Sequence, residues 1–258
     1  MRTPRALRLY ANGLDKRRYF RAQRQRAGKP IVILTMGKTG SATIMATLEE
    51  HVPERPVYQV HRFAPNTLAL AEREYGRIAP QSRSSNILAA RYLRTRMPTP
   101  EKPWDVISLV RDPVARGVSA YFQTGARLGH TVDDPEIVRT ELLAWPAFRI
   151  TNTWFDTELR DGLGIDVHDY PFDPEMGYQR IETPAVRLLL IRQENLDQAP
   201  GVLSDFLNTP VPSLVNANVA SDKPYAEMYR RFCSWTALPA SASPRAWPPP
   251  SATSSRRR

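Results

Sequence analysis

Short apolar runs alternate with longer amphipathic stretches along this chain. Residues 30–35 (PIVILT), 56–60 (PVYQV), 104–110 (WDVISLV) and 185–191 (AVRLLLI) are each continuous and rich in β-branched or aliphatic side chains. Runs of that length and type suit strands buried on both faces, as in parallel sheets. Helical patterns lie between them. Ser41 to Glu50 places Ile44, Met45 and Leu48 on one face, residues 65–75 follow, and 82–96 carry a stripe of Ile87, Leu88, Tyr92 and Leu93. Asp112-Pro113 opens a further helix to about Phe122, because Asp is a good N-cap and Pro fits the first turn. Residues 136–160 read as helical with a break near Pro146, and 198–208 as helical again. Strands alternating with helices predict an α/β domain with a central parallel sheet flanked by helices.

The chain has 258 residues, 41% of them hydrophobic, enough to bury a core. Cys233 is the one cysteine, which excludes an intramolecular disulfide and a multi-cysteine metal cluster. The formal charge of +10 points at first to nucleic acid. Its distribution says otherwise: residues 1–29 carry +9 and 245–258 carry +4, so 30–244 carry the remaining −3. Three parts result: a basic extension (1–29), an α/β domain (30–232) and a Pro/Ser/Ala/Arg tail (233–258) without apolar periodicity. The tail reads as disordered. Its abrupt start after YAEMYRRF suits a linker, or a frame-shifted or truncated end. Residues 1–29 read as a solvated extension packed against the domain edge, or as a basic helix on an anionic membrane. No apolar run approaches the ~20 residues of a transmembrane helix, so the expected address is the cytoplasm, with the inner membrane face as a peripheral contact. No aromatic-interleaved basic element supports a specific nucleic-acid partner.

Met36-Gly37-Lys38-Thr39-Gly40 turns the first strand into a helix that begins Ser41-Ala42-Thr43. Amides at a helix N-terminus lack intrahelical acceptors and favour an anion. Gly37 and Gly40 let the backbone curl round a phosphate, Lys38 adds a charge, and Thr39, Ser41 and Thr43 add hydroxyls. A nucleoside-triphosphate P-loop would need its first glycine at Val32, so only the end of that motif is present. A second group lies in VISLVRDPVARGVSAYF: Arg111 ends a strand and Ser119 sits two turns into the next helix. Ligands of open α/β sheets bind at that strand edge, and Arg suits bidentate phosphate contact.

Together, TMGKTGSATIMATL and VRDPVARGVSAYF resemble the sulfotransferases that use 3′-phosphoadenosine 5′-phosphosulfate. LLLIRQENLD is similar to that family's later strand and Arg-x-Glu-x-Leu motif. WFDTELRDGLGIDVHDYPFD is similar to a bacterial branch associated with capsular polysaccharide synthesis. The resemblance covers about 30–232 and implies a single P-loop-like domain with the sulfotransferase-like fold. It implies that Gly37, Lys38, Thr39, Gly40, Ser41, Ala42 and Thr43 hold the 5′-phosphosulfate, with Lys38 at the leaving oxygen. It implies that Arg111 and Ser119 hold the 3′-phosphate. Residues 233–258 depart from the family, whose members continue with ordered helices.

Sulfuryl transfer needs a base for the acceptor hydroxyl. Of His51, His61, His130 and His168, His61 ends the second strand on the same sheet edge as Lys38, and a neutral imidazole suits the task. Glu182 and Glu194 are further candidates, Glu194 more as a brace. No ligand spacing suggests a metal. The expected function is sulfuryl transfer to a hydroxyl acceptor, a carbohydrate or polysaccharide. The alternative is a P-loop-type kinase or NTPase, which leaves Arg111 and Ser119 unexplained. A binder acting through the tails alone is the third.

Overall fold

The computed structural model describes residues 13–78, 84–128, 134–144, 153–215 and 225–235. Five strands form one sheet in the order β2-β1-β3-β5-β4. They are β1 (Ile31–Leu34), β2 (Val57–Val60), β3 (Trp104–Val110), β4 (Tyr178–Glu182) and β5 (Val186–Arg192). The pairs β1–β2, β1–β3 and β3–β5 are parallel. The expected α/β architecture is present, with one correction: β4 pairs antiparallel with β5, so the sheet is mixed. Strand β4 (YQRIE) escaped the sequence pattern because it is an edge strand in which only Ile181 is buried. It has the exposed, charged character that edge strands use against unwanted pairing.

Alternation along each strand divides the core into two layers. Val32 and Leu34 face one layer, with Tyr58, Val60, Trp104, Val106 and Leu188. Helices α3 (Pro65–Ile78) and α4 (Ser85–Arg94) and residues 154–167 cover that face. Ile31 and Ile33 face the other, with Ile107, Leu109, Leu189 and Ile191. Helix α2 (Ser41–His51) and a later helix, Ala199–Leu207, cover it. A satellite cluster of Val118, Phe122, Val138, Leu142 and Phe232 joins α5 (Pro113–Leu128), α6 (Pro135–Ala144) and a final helix, Ala226–Trp235. Helix α5 starts as expected, the Ala115 amide donating to Asp112 Oδ1 at 2.7 Å, and outruns Phe122. The final helix passes through Cys233, and the expected break near Pro146 and residues 236–258 lie outside the described residues.

Part of the basic extension is helix α1 (Gly13–Gln25), whose inner face packs against the sheet. Gln23 is 1% exposed; it accepts from the Val57 amide at 2.7 Å and donates to Glu49 at 2.6 Å. Tyr19 donates to the same carboxylate at 2.7 Å, and Arg26 pairs with it at 3.0 Å. Arg18, Arg21 and Arg24 remain exposed. No helix among the described residues is long and apolar enough to cross a membrane.

The amino edge of the sheet is held by one carboxylate. Asp105, 1% exposed, meets Lys29 and Arg55 at 2.6 Å each and Arg187 at 3.6 Å. These cations precede β1, precede β2 and lie on β5, so Asp105 joins the strand starts across the sheet. Removing one member of a buried ion cluster leaves the others uncompensated. Asp105→Ala should lower stability by about 3 kcal/mol. The expected readout is a lower urea midpoint with an unchanged slope.

Candidate functional site

The chain leaves β1 towards β2 on one side and later places β3 on the other. The carboxyl ends of β1 and β3 therefore flank a topological switch point, where α/β sheets bind ligands. Residues 35–40 and Arg111 open onto it.

Beyond Leu34 the Thr35 amide still bonds the Val60 carbonyl of β2 at 3.2 Å, while on the β3 side the Thr35 side chain continues the ladder. Its hydroxyl donates to the Leu109 carbonyl at 2.9 Å and accepts from the Leu109 amide at 3.2 Å. Thr39 Oγ1 lies 3.0 Å from Thr35 Oγ1 and donates to the Met36 carbonyl at 2.8 Å. Each hydroxyl has one proton; with that of Thr35 on the Leu109 carbonyl, that of Thr39 is shared between the Met36 carbonyl and Thr35 Oγ1. Both threonines are fully buried. Thr39 thus serves the turn with its hydroxyl.

The turn needs two left-handed residues. Lys38 has φ 73° and Gly40 has φ 91°. A Cβ on Gly40 would lie 2.9 Å from Leu196 Cδ1, the end of a side chain that can give way, so it is the left-handed conformation that favours glycine there. Gly40 caps α2, and the Thr43 and Ile44 amides bond its carbonyl at 3.0 and 3.3 Å. Helix geometry leaves the Ser41 and Ala42 amides without intrahelical acceptors. Ser41 Oγ accepts from Gln59 Nε2 at 2.8 Å, which keeps its own proton available. Gly37, Lys38 and Ala42 are partly buried beside these groups.

Arg111 lies across this turn. Its Nη1 donates to the Lys38 carbonyl at 2.9 Å, while Nε is buried without a hydrogen-bond partner among the described residues. An unmatched guanidinium N–H in a partly buried position suits an anionic ligand. Ser119 is partly buried on α5, on the helix that Arg111 introduces. Two further arginines were not singled out from the sequence. Arg116, 6% exposed in the same helix, has its pKa lowered by burial, then by the charges of Arg62 and Arg111. Arg62 follows His61 directly. Arg116 had one sequence signal, its place one helical turn beyond the Asp112-Pro113 start.

His61 Nδ1 lies 2.6 Å from the Thr35 carbonyl, which can only accept, so the neutral ring carries its proton on Nδ1 and keeps Nε2 as a base. Burial, more than the nearby Arg62 charge, holds its pKa below the ordinary 6.5, against the opposing bond to Thr35. His61 and Arg111 thus hold the 35–40 turn from opposite sides.

The other candidate bases are placed elsewhere. Glu194 accepts from the Asp112 amide at 3.0 Å and pairs with Arg192 at 3.4 Å, bracing the start of α5. Glu182 pairs with Arg187 at 3.8 Å, near Asp105, at the opposite edge of the sheet. His51 ends α2 towards that same edge, and His130 lies outside the described residues. His168 is exposed, with Asp156 and Asp166 grouped near it. Arg160 already pairs with both carboxylates, at 3.0 and 3.7 Å.

Residues 140–234 match the profile of the NKWYS family, described as "Putative capsular polysaccharide synthesis protein". No curated protein and no solved structure matches the chain significantly. The matched segment includes β4, β5 and Glu194, and excludes Lys38, His61, Arg111 and Ser119.

Two substitutions test this geometry. Thr35→Val keeps the shape but leaves the buried Leu109 amide and carbonyl unmatched, and should cost about 2 kcal/mol in urea unfolding. Lys38→Gly should instead stabilise the fold by about 1 kcal/mol, because an L-residue there occupies the left-handed region. An unchanged or lower Tm for Lys38→Gly contradicts that account of the turn.

Proposed function

We propose that this protein is a sulfotransferase with a P-loop-like, sulfotransferase-type domain. It transfers a sulfuryl group from 3′-phosphoadenosine 5′-phosphosulfate to a carbohydrate hydroxyl, as part of polysaccharide synthesis. The observation that carries the reading is the Arg111 bond to the Lys38 carbonyl. It joins two phosphate-type elements, 73 residues apart, at one switch point. A donor with phosphates at both the 5′ and 3′ positions matches two such elements; a nucleoside triphosphate matches the turn alone. Val32, 1% exposed within β1, stands where a nucleoside-triphosphate P-loop needs its first glycine, so nothing favours the kinase reading. The match of 140–234 to a family described by polysaccharide synthesis supports a saccharide acceptor.

The roles follow from the residues. The Ser41 and Ala42 amides and the dipole of α2 bind the 5′-phosphate. Arg111 and Ser119 bind the 3′-phosphate. His61 Nε2 takes the proton of the acceptor hydroxyl as its oxygen bonds sulfur. The bond from sulfur to the phosphate oxygen breaks, and the Lys38 ammonium offsets the charge left on that oxygen. The products are the sulfated acceptor and adenosine 3′,5′-bisphosphate.

Adenosine 3′,5′-bisphosphate should raise the Tm, by about 2.7 kcal/mol of stabilisation at a hundredfold excess over its Kd, and ATP with Mg²⁺ should not. Arg111→Ala should remove most of that shift. Lys38→Ala should keep it while lowering kcat about 10²–10³-fold with labelled donor over a saccharide panel. Stabilisation by ATP with Mg²⁺ alone sinks the proposal. A base works when neutral, so kcat should rise with pH through the lowered pKa of His61. The midpoint of that acid limb should lie below 6.5.

A further inference from the structure

The connection from β2 to α3 carries His61, and a segment about 95 residues away in sequence grips it. The Trp154 indole Nε1 donates to the His61 carbonyl at 3.0 Å. Two residues on, the Phe63 and Ala64 amides both donate to Glu158 Oε2, at 2.5 and 2.9 Å. Arg62 Nη1 lies 3.5 Å from the other oxygen. A Cβ on Gly162 would lie 3.2 Å from Phe63 Cδ1 and 3.6 Å from the Ala64 amide, so the two segments touch there without side-chain room.

Trp154, Glu158 and Gly162 are spaced four apart. The helical segment bearing them contains a π-helical turn, Asp156–Arg160. A π turn is rare and recurs at functional sites. Glu158 is fully buried. Capping the start of α3 does not call for this arrangement, since a local Ser or Asp would supply the acceptor without burying a remote charge. The buried carboxylate fixes the whole 61–64 connection instead, on the side opposite the Thr35 bond to the ring.

We propose that Trp154 and Glu158 are positioning residues that act through His61, holding its ring in the orientation that accepts the acceptor's proton. This rests on the reading of His61 as the base. The charge that acts on the ring is Arg62, on its own connection; Glu158 pairs with Arg62 from the gripping segment, and Arg116 feels Arg62 and Arg111 from the β3–α5 side. Trp154→Phe removes the indole N–H while keeping an aromatic ring. Glu158→Gln keeps the shape and an oxygen acceptor while losing the charge.

The test is a histidine NMR titration of the full chain, with the His61 signal assigned by His61→Gln, and no donor or acceptor present. In Trp154→Phe the His61 midpoint should move up towards 6.5 as the connection loosens and water reaches the ring, whereas in Glu158→Gln the uncompensated Arg62 charge opposes that rise. The acid limb of kcat should move with it. We expect kcat to fall about tenfold or more, with the donor KM unchanged, because misorientation of a base leaves donor binding intact. An unchanged titration in folded Trp154→Phe, which leaves every charge in place, overturns the grip. A shifted titration with an unshifted acid limb overturns the link to the base. Wild-type protein that neither binds the bisphosphate nor transfers sulfate counts against the sulfotransferase reading, while the titration still decides the grip.

Discussion

The Thr35 residue is the constraint on which the site depends. Its hydroxyl replaces a strand backbone where β1 stops, satisfying both polar groups of Leu109. Its carbonyl holds His61, and its oxygen receives the Thr39 contact that closes the turn. One residue therefore links the ends of β1, β2 and β3. Valine fits a strand end equally well and keeps the carbonyl that holds His61, but it satisfies neither Leu109 nor Thr39, and serine lacks the branched stiffness that suits a strand. With both ends of the turn fixed, the left-handed conformations of Lys38 and Gly40 follow from chain reversal within a few residues. Strain at Lys38 is thus the consequence of placing a cation at the tip of a short, pinned turn.

The two edges of the sheet handle charge in opposite ways. At the amino edge, Asp105 gathers three cations and the charges offset one another. At the carboxyl edge, Arg116 feels Arg62 and Arg111 as like charges. Glu158, 3.5 Å from Arg62, offsets part of that repulsion, and a nearby anion would offset more. The charge-balanced cluster and the like-charge cluster therefore lie at opposite ends of the same strands. The charge of +10 for the whole chain conceals this division, because the terminal segments supply its sign and the domain does not.

The parts legible in the sequence were those with a strong local signal. The four apolar runs became β1, β2, β3 and β5 because buried parallel strands are continuously apolar. Asp112-Pro113 marked the start of α5, and the Gly37–Gly40 turn marked the start of α2. Strand β4 was missed because its identity comes from pairing with β5 and not from its own composition. Asp105 lay unremarked inside the run WDVISLV; its meaning lies in cations from three other segments. Thr35 read as the end of a strand, and its role needs the position of Leu109, 74 residues away. Glu158 and Trp154 sat in a helical pattern, and nothing local showed that their partners were the backbone beyond β2. Long-range polar contacts leave no periodicity behind, so no pattern reading reaches them.

The similarity of 140–234 to a family acquires a physical meaning from these contacts. That segment is no separate domain. Its β5 pairs with β3 along the whole strand, from Trp104–Val186 to Val110–Arg192, so it lies inside the sheet and not beside it. Its Glu158 is buried only because the Phe63 and Ala64 amides meet it, and a carboxylate without such donors would not stay buried. A chain carrying this segment must therefore also supply a strand for β5 and a polar loop for Glu158. In this protein both come from the part that bears Lys38, His61 and Arg111. The stretch that resembles a polysaccharide-synthesis family and the stretch that holds the 35–40 turn and Arg111 are parts of one core, and the His61 connection is where they meet.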